Sequence, residues 1–248
     1  MFRIIHVTLG AAIAVGFVAP ASSGAQDTLT TAPPPFAWKP RRDLAVLGGI
    51  AVAAAVVSPF DVRWTAGMQG ARVQNDPGLR RVADAVRSVG NPGALVLSAG
   101  VFALGKVARR PGLADAGWHA TEAVVASAMV TGALKGIVGR ARPGTVDNTD
   151  AGEFKPFGGF RPGYSSMPSG HTTVAFAAAA AFDAELSRSR KRAARVVRPL
   201  LYTVAAAVGV SRLYHDSHWA SDVVVGAGVG VFVARRLVAV AHGSRQRP

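Results

Sequence analysis

The sequence predicts an all-α protein, a bundle of about six core helices embedded in a membrane. Half of the 248 residues are hydrophobic, and they are concentrated in six apolar segments separated by charged connectors. The segments are long and rich in Ala, and their apolar residues do not alternate with polar ones as they would in a half-buried strand. These observations favour helices over strands throughout the chain.

The six segments follow one another along most of the chain. They are residues 44–60, 94–107, 120–138, 172–182, 196–210 and 219–240. Residues that break helices mark some of their ends, because Pro59 interrupts the first segment and Pro92-Gly93 precedes the second. Each segment is therefore predicted to be a separate helix.

The sixth segment contains three closely spaced glycines, Gly226, Gly228 and Gly230. Such spacing could belong to a nucleotide-binding loop, but no strand pattern precedes it as that motif requires. Small residues also allow two helices to approach closely. We therefore expect the glycines to serve helix packing.

The N-terminal region predicts an export signal. Residues 1–25 combine a positive start, an apolar run and small residues suited to cleavage, with an uncleaved membrane anchor as the alternative. Residues 26–42 are rich in Thr and Pro and predict a flexible segment. The helical bundle domain is expected over residues 43–242, followed by a basic tail at 243–248. The chain has no Cys, which excludes disulfides.

The charge balance indicates a membrane partner rather than nucleic acid. The formal net charge is +14, but no basic stripe is interleaved with aromatic residues. The Arg clusters lie between apolar segments, as expected beside anionic lipid headgroups. A dense Lys/Arg cluster at 187–198 marks that side as cytoplasmic if the protein spans the inner membrane. The basic residues at 39–42 also favour the cytoplasm, which conflicts with a cleaved signal; a soluble periplasmic bundle is the alternative.

Three polar blocks lie at ends of the apolar segments. Lys135 and Arg142-Pro143 end the third segment, Pro168-Ser169-Gly170-His171 precedes the fourth, Ser211-Arg212 follows the fifth, and His218 and Asp222 begin the sixth. Taken singly, each residue is more often a solvated charge, a helix cap or a surface pair. Together they supply cations for a phosphate group, an imidazole to attack phosphorus and a second to protonate the leaving oxygen, without a metal.

Antiparallel neighbouring helices would bring these blocks to one end of the bundle. The active site is therefore predicted at that end. The intervening loop at 144–167 is rich in Gly and Pro and is expected to lie over the same face.

The blocks resemble the signature of the type 2 phosphatidic acid phosphatase and vanadium haloperoxidase superfamily. That signature reads Lys, six residues, Arg-Pro; then Pro-Ser-Gly-His; then Ser-Arg, five residues, His, three residues, Asp. Every position is filled here, and the similarity covers roughly residues 90–240. The resemblance implies a hydrolase, with no metal and no cofactor.

The resemblance also implies a role for each residue of the blocks. His218 would be the nucleophile that forms a phosphohistidine, Asp222 would hold its imidazole, and His171 would act as general acid and then base. The remaining residues would bind phosphate: Lys135, Arg142, Ser169, Gly170 and Arg212. His119 and His215 are assigned to structure or substrate approach.

The expected reaction is hydrolysis of a phosphate monoester or diphosphate. A lipid phosphate such as phosphatidate or a polyprenyl diphosphate is the expected substrate, presented from the membrane to a site facing the periplasm. A soluble periplasmic non-specific acid phosphatase is the first alternative. A vanadium-dependent haloperoxidase with vanadate as cofactor is the second, although members of that class are usually much longer. The oligomeric state stays open.

Overall fold

The computed structural model describes residues 39–244, and within that range it contains helices and no strands. The helices are α1 (Pro40–Val57), α2 (Asp61–Gln69), α3 (Ala71–Gln74), α4 (Pro77–Ser88), α5 (Ala94–Val107), α6 (Pro111–Val138), α7 (Gly170–Ser189), α8 (Lys191–Tyr214) and α9 (Ala220–Ser244). The predicted all-α class is confirmed. The predicted export signal, most of the flexible segment and the end of the basic tail lie outside the described residues.

Every predicted apolar segment lies wholly or largely within a helix, and most of these helices extend beyond it. The helix α1 begins at Pro40, inside the segment predicted to be flexible, and α6 begins at Pro111. Proline suits the first helical position because its missing N–H has no intrahelical partner there. The helix α9 continues to Ser244, into the predicted tail.

The helices α2 and α4 were not predicted from the apolar pattern. The helix α4 is amphipathic and is rich in Arg, so it lacks a continuous apolar run. The Asp76 side chain caps it by accepting hydrogen bonds from the backbone N–H groups of Gly78 at 2.7 Å and Leu79 at 3.1 Å. A short helical turn, Val89–Gly93, joins α4 to α5.

The Ala-rich helix α7 lies at the centre and packs against α6, α8 and α9. Glycines of α9 allow this close packing. A Cβ atom at Gly226 would lie 2.7 Å from the Ser169 carbonyl oxygen, and one at Gly230 would lie 2.2 Å from that of Thr173. Gly228 makes the equivalent close approach to Ile50 of α1. The packing interpretation of the three glycines is confirmed, and it fixes the start of α7 against α9.

Five helical segments of the described residues are long and apolar enough to cross a membrane. They are Pro40–Gln69, Pro77–Val107, Pro111–Val138, Lys191–Tyr214 and Ala220–Gly243. Large apolar side chains on these segments are exposed, for example Val107, Met129 and Val196. Lipid chains would cover such surfaces, so the structure agrees with the predicted membrane-embedded bundle.

Candidate active site

The three sequence blocks meet at one end of the bundle. Lys135 joins the end of α6 to the residues before α7. Its Nζ donates hydrogen bonds to the carbonyl oxygen of Ser165 and, at 3.2 Å, to that of Ser166. The starts of α7 and α9 are joined by the Ser169 N–H group, which donates to the Asp222 carbonyl at 3.1 Å. Residues far apart in sequence therefore share one site.

The loop at 144–167 folds back over this end, as its position in the sequence predicted. The Arg142 N–H group donates to the Gly163 carbonyl at 2.8 Å, and the Lys155 N–H group donates to the Gly139 carbonyl at 2.8 Å. Gly139 ends α6 with a φ of +58°, and a Cβ atom there would collide with the Lys155 carbonyl oxygen. This tight turn holds the loop across the end of α6.

Three cations lie close together, and among the described residues none of them is in a salt bridge. Lys135, Arg142 and Arg212 lie within electrostatic reach of each other, and among residues 39–244 none of the three forms an ion pair. Lys135 bonds to carbonyl oxygens, and Arg142 donates to the Ser165 hydroxyl at 3.2 Å. Their mutual repulsion is unfavourable unless an anion binds between them.

Arg212 is the clearest sign of an anion site. The residue is only 6% exposed, and both its Nε and its Nη1 are buried without a hydrogen-bond partner among the described residues. A buried donor without a partner is costly, and a charged one more so. A phosphate group would supply both the negative charge and the acceptor oxygens that these donors lack.

The start of α7 adds neutral donors to the cations. Ser169 is the N-cap residue, and its Oγ accepts a hydrogen bond from Thr172 Oγ1 at 2.9 Å, which leaves its own hydroxyl proton for another acceptor. Gly170 is the first residue of the helix, beside the Lys135 side chain. Backbone N–H groups at a helix start favour anions. His171 follows, half-buried and within electrostatic reach of Arg212 and His218.

His218 lies beside the cations and is 3% exposed. Its Nδ1 is 3.6 Å from Asp222 Oδ2, which is longer than a hydrogen bond, and has no closer partner among the described residues. Burial lowers the pKa of His218 to about 4, against the opposing effect of the Asp222 carboxylate. The imidazole is therefore neutral near pH 7 and keeps the lone pair that a nucleophile needs.

Asp222 is fully buried and is held by three donors. Its Oδ1 accepts from Arg140 Nη1 at 2.7 Å, while its Oδ2 accepts from Ser166 Oγ at 2.5 Å and from the Trp219 N–H group at 2.9 Å. The carboxylate is thus fixed in position, with Oδ2 directed toward His218. The role of Asp222 in orienting the imidazole stays a prediction, since 3.6 Å separates its Oδ2 from His218 Nδ1.

The sequence analysis missed the residues that hold Asp222 from behind. Arg140 is 2% exposed and bridges Asp222 to Asp61, with 2.8 Å from its Nη2 to Asp61 Oδ2. Ser221 donates to the same Asp61 through both its N–H group and its hydroxyl. Arg140 and Ser221 had been treated as spacers within the signature. The sequence feature that could have indicated this pair is the charge of its members. Asp61 and Arg140 adjoin apolar runs, where an ionisable residue needs a partner.

A fourth cation, Arg87, was also missed. It lies on α4 within electrostatic reach of His171 and Arg212. Because α4 was not predicted, nothing directed Arg87 toward the site. His215, by contrast, bonds through Nδ1 to the Ser211 carbonyl at 2.5 Å and through Nε2 to Asp84 at 2.8 Å. Of the two expectations for His215, structure or substrate approach, these contacts favour structure.

The comparison with known families agrees with this site. A sequence profile of the PAP2 superfamily matches residues 116–246, just over half of the chain and all three polar blocks. The chain belongs to the PAP2 superfamily. The resemblance inferred from the signature is therefore confirmed.

Individual members of the PAP2 superfamily are similar over parts of their length. A lipid A 1-phosphatase of Porphyromonas gingivalis is 45% identical over 87 residues, which are 34% of this chain and 18% of the relative. A lipid A 1-phosphatase of Rhizobium johnstonii is 34% identical over 109 residues, which are 44% of this chain and 41% of the relative. The chain thus matches less than half the length of these curated relatives.

A solved structure shows the same fold. A transmembrane PAP2 type phosphatidylglycerolphosphate phosphatase from Bacillus subtilis superimposes with a TM-score of 0.61, covering 83% of this chain and 97% of that one, at 19% identity. At this identity the likeness concerns the fold alone. It places the described helices in the architecture of a transmembrane PAP2 protein.

Proposed function

We propose that this PAP2 protein is a metal-independent phosphatase that hydrolyses lipid phosphates through a phosphohistidine on His218. The observation that carries the proposal is the buried guanidinium of Arg212, which has two nitrogens without a hydrogen-bond partner in the described part of the chain. Two other cations, Lys135 and Arg142, lie nearby and form no salt bridge there. A phosphate group has the charge and the acceptors to satisfy all of them. His218 lies at the edge of this site with its Nδ1 directed toward Asp222.

In the first step His218 Nε2 attacks phosphorus. The N–P bond forms while the bond from phosphorus to the leaving oxygen breaks, and His171 donates a proton to that oxygen. Burial lowers the pKa of His171 to about 4, so in the proposed mechanism His171 takes up this proton when the anionic phosphate binds beside it. Asp222 stabilises the positive charge that develops on the His218 ring. Lys135, Arg142 and Arg212 stabilise the charge that grows on the phosphate oxygens, with Ser169 and the Gly170 N–H group as further donors.

In the second step water releases the phosphate. His171, now neutral, accepts a proton from a water molecule whose oxygen attacks phosphorus. The N–P bond breaks, inorganic phosphate leaves, and both imidazoles return to their starting forms. No step needs a metal ion, because fixed cations supply the charge stabilisation that a metal would otherwise provide.

Three observations support a lipid as the substrate. Both curated relatives described above are named lipid A 1-phosphatases. The loop over the site exposes two large aromatic side chains, Phe157 at 78% and Phe160 at 88%, which suit contact with the membrane interface. A cavity of about 400 Å³ beside Arg140 and Ser221 is walled mainly by apolar residues such as Pro59 and Phe154 and could hold part of an acyl chain.

Phosphate release in the presence of EDTA tests the proposal. The substrates would be lipid A 1-phosphate, phosphatidylglycerol phosphate, phosphatidate and a polyprenyl diphosphate in mixed micelles, with p-nitrophenyl phosphate as the soluble ester. We expect the wild type to prefer a lipid, and the His218→Ala variant to lose more than about 10³-fold in turnover. The His215→Ala variant removes an imidazole nearby and should keep most of the activity.

Each alternative has a distinct result. Near-normal turnover by the His218→Ala variant would show that the nucleophile is assigned wrongly. Preference for the soluble ester would favour a non-specific acid phosphatase. Absence of phosphate release from every substrate, with bromide oxidation after vanadate loading, would favour the haloperoxidase.

We also propose that the site faces the periplasm. The opposite end of the bundle carries the Lys/Arg cluster between α7 and α8, which favours the cytoplasm. The chain has no Cys, so single-cysteine variants can report on each end. A membrane-impermeant maleimide should label the Phe157→Cys variant in cells with a permeabilised outer membrane, and the Arg192→Cys variant only after lysis. The reverse pattern would contradict this orientation.

A further inference from the structure

Three ionisable side chains from three different helices converge at the end of the bundle opposite the phosphate site. They are His119 of α6, Glu185 of α7 and His242 of α9. Glu185 Oε1 lies 2.6 Å from His119 Nδ1 and 2.7 Å from His242 Nε2. All three atoms lie within 4.8 Å of one another. The proposed phosphatase reaction uses none of these residues.

The cluster is far from the reacting groups. Glu185 follows His171 by 14 positions on α7, which corresponds to about 21 Å along the helix. His119 precedes Lys135 by 16 positions on α6, or about 24 Å. A ligand at the cluster would therefore not touch the phosphate site.

We propose that His119, Glu185 and His242 form a binding site for a divalent transition metal ion of the Zn²⁺ class. Two imidazole nitrogens and one carboxylate oxygen are a donor set that Zn²⁺ and its neighbours in the first transition row bind well. Hard cations such as Mg²⁺ prefer oxygen ligands and fit this set poorly. The chemistry of the donors thus selects the class of ion.

The geometry needs little adjustment to hold such an ion. Tetrahedral coordination at about 2.1 Å places neighbouring ligand atoms roughly 3.4 Å apart. The two contacts to Glu185 Oε1 are shorter than this by less than 1 Å, as in a hydrogen-bonded set from which the ion displaces the bridging protons. Each imidazole then carries its proton on the other ring nitrogen and presents a lone pair to the ion.

The burial of the three side chains also suits a metal site. The side chains of His119 and Glu185 are 4% and 9% exposed, so their positions are fixed by the surrounding helices. The His242 side chain is 17% exposed, which leaves a route for the ion and room for a water ligand. A bound ion would join α6, α7 and α9 and should raise the thermal stability of the bundle.

Cobalt binding is the direct test, because tetrahedral Co²⁺ absorbs visible light. The full 248-residue chain would be purified in detergent without a polyhistidine tag, stripped with EDTA and titrated with Co²⁺ and then Zn²⁺. We expect one Co²⁺ per chain, displaced by Zn²⁺. Loss of a single ligand in His119→Ala, Glu185→Gln or His242→Ala should weaken binding by at least about tenfold, since even outer partners of metal ligands contribute 10- to 100-fold.

The Asp183→Asn variant is the matched control, because it removes a buried carboxylate two residues from Glu185 on the same helix. It should bind Co²⁺ as the wild type does. Absence of a tetrahedral Co²⁺ spectrum in the wild type would overturn the proposal and leave a hydrogen-bonded triad. Binding that survives in all three ligand variants, or that is lost equally in the control, would overturn it too. A rise in the melting temperature of the wild type on adding Zn²⁺, absent in Glu185→Gln, would support it independently.

Discussion

The two ends of the bundle differ in whether their buried ionisable side chains have hydrogen-bond partners. At the end proposed to bind phosphate, the buried Arg212 has two nitrogens without a partner among the described residues. At the other end, the buried Asp183 is bonded at 2.8 Å by the half-exposed Arg198 of the same helix as Arg212, and Glu185 bonds to two imidazoles. Ion-paired side chains hold neighbouring helices together, whereas unpaired charged side chains are free to contact a ligand. Under the proposed function, the end with the unpaired guanidinium is the one that binds an anion.

Within the catalytic end the same distinction recurs. Arg140 differs from its neighbour Arg142 because it is bonded to two carboxylates, those of Asp61 and Asp222. Arg142 instead bonds to a neutral hydroxyl. Two arginines separated by one residue therefore differ in their contacts: Arg140 fixes the Asp222 carboxylate, and Arg142 is the one proposed to bind phosphate.

The largest effect that separates the two ends should come from their buried aspartates. The Asp222→Asn variant should keep the fold but lower kcat by about 10²- to 10⁴-fold, because the amide cannot stabilise the charged His218 ring. The Asp183→Asn variant should change kcat by less than about twofold and act only on stability. Steady-state phosphate release and melting temperatures of both variants check this. Equal kcat losses in the two would show that buried charge at either end matters only for folding.

The arginines of α8 give the next largest contrast. The Arg212→Lys variant should lose about 10- to 100-fold in kcat/KM, because a point charge cannot replace the forked guanidinium at the phosphate. The Arg198→Lys variant at the other end keeps a cation beside Asp183 and should stay within about twofold. Initial rates on the preferred lipid measure both. A wild-type rate for Arg212→Lys would remove Arg212 from the phosphate site.

The pKa of His218 should differ measurably from that of an ordinary His. Burial lowers its pKa to about 4, so the ring should stay neutral as the pH falls from 7 and gain its proton only near pH 4. An ordinary His gains its proton near pH 6.5. NMR titration of the protein labelled with ¹³C-histidine, with the His218 signal assigned by its loss in His218→Gln, measures this. A midpoint near 6.5 would contradict the buried, neutral nucleophile.

The smallest expected effect is that of a chelator on catalysis. EDTA should leave the rate of phosphate release unchanged, since the proposed reaction uses no metal, while lowering the melting temperature of protein that carries an ion at the His119–Glu185–His242 cluster. Parallel activity assays and thermal melts of the same sample separate the two. A clear loss of activity in EDTA, reversed by Zn²⁺, would count against the proposed mechanism.

Some parts of the site could be predicted because they are local. The capping position of Ser169, the position of His171 in the first turn of α7 and the spacing of four residues between His218 and Asp222 all follow from helix geometry over a few residues. The pairing of Arg140 with Asp61 could not be predicted. Those residues are 79 positions apart, and no spacing rule connects them.

The sequence by itself predicted the helical class, the order of the six apolar segments, the superfamily and the three polar blocks that meet at one end of the bundle. It could do so because apolar periodicity and short motifs act over one or two helical turns. Only the tertiary structure decided which cations are paired, since Arg140 bonds to two carboxylates and Arg212 to none within residues 39–244. It also brought His119, Glu185 and His242 together. Both outcomes depend on how helices distant in sequence pack side by side, because only that packing sets the distances over which charges attract or repel.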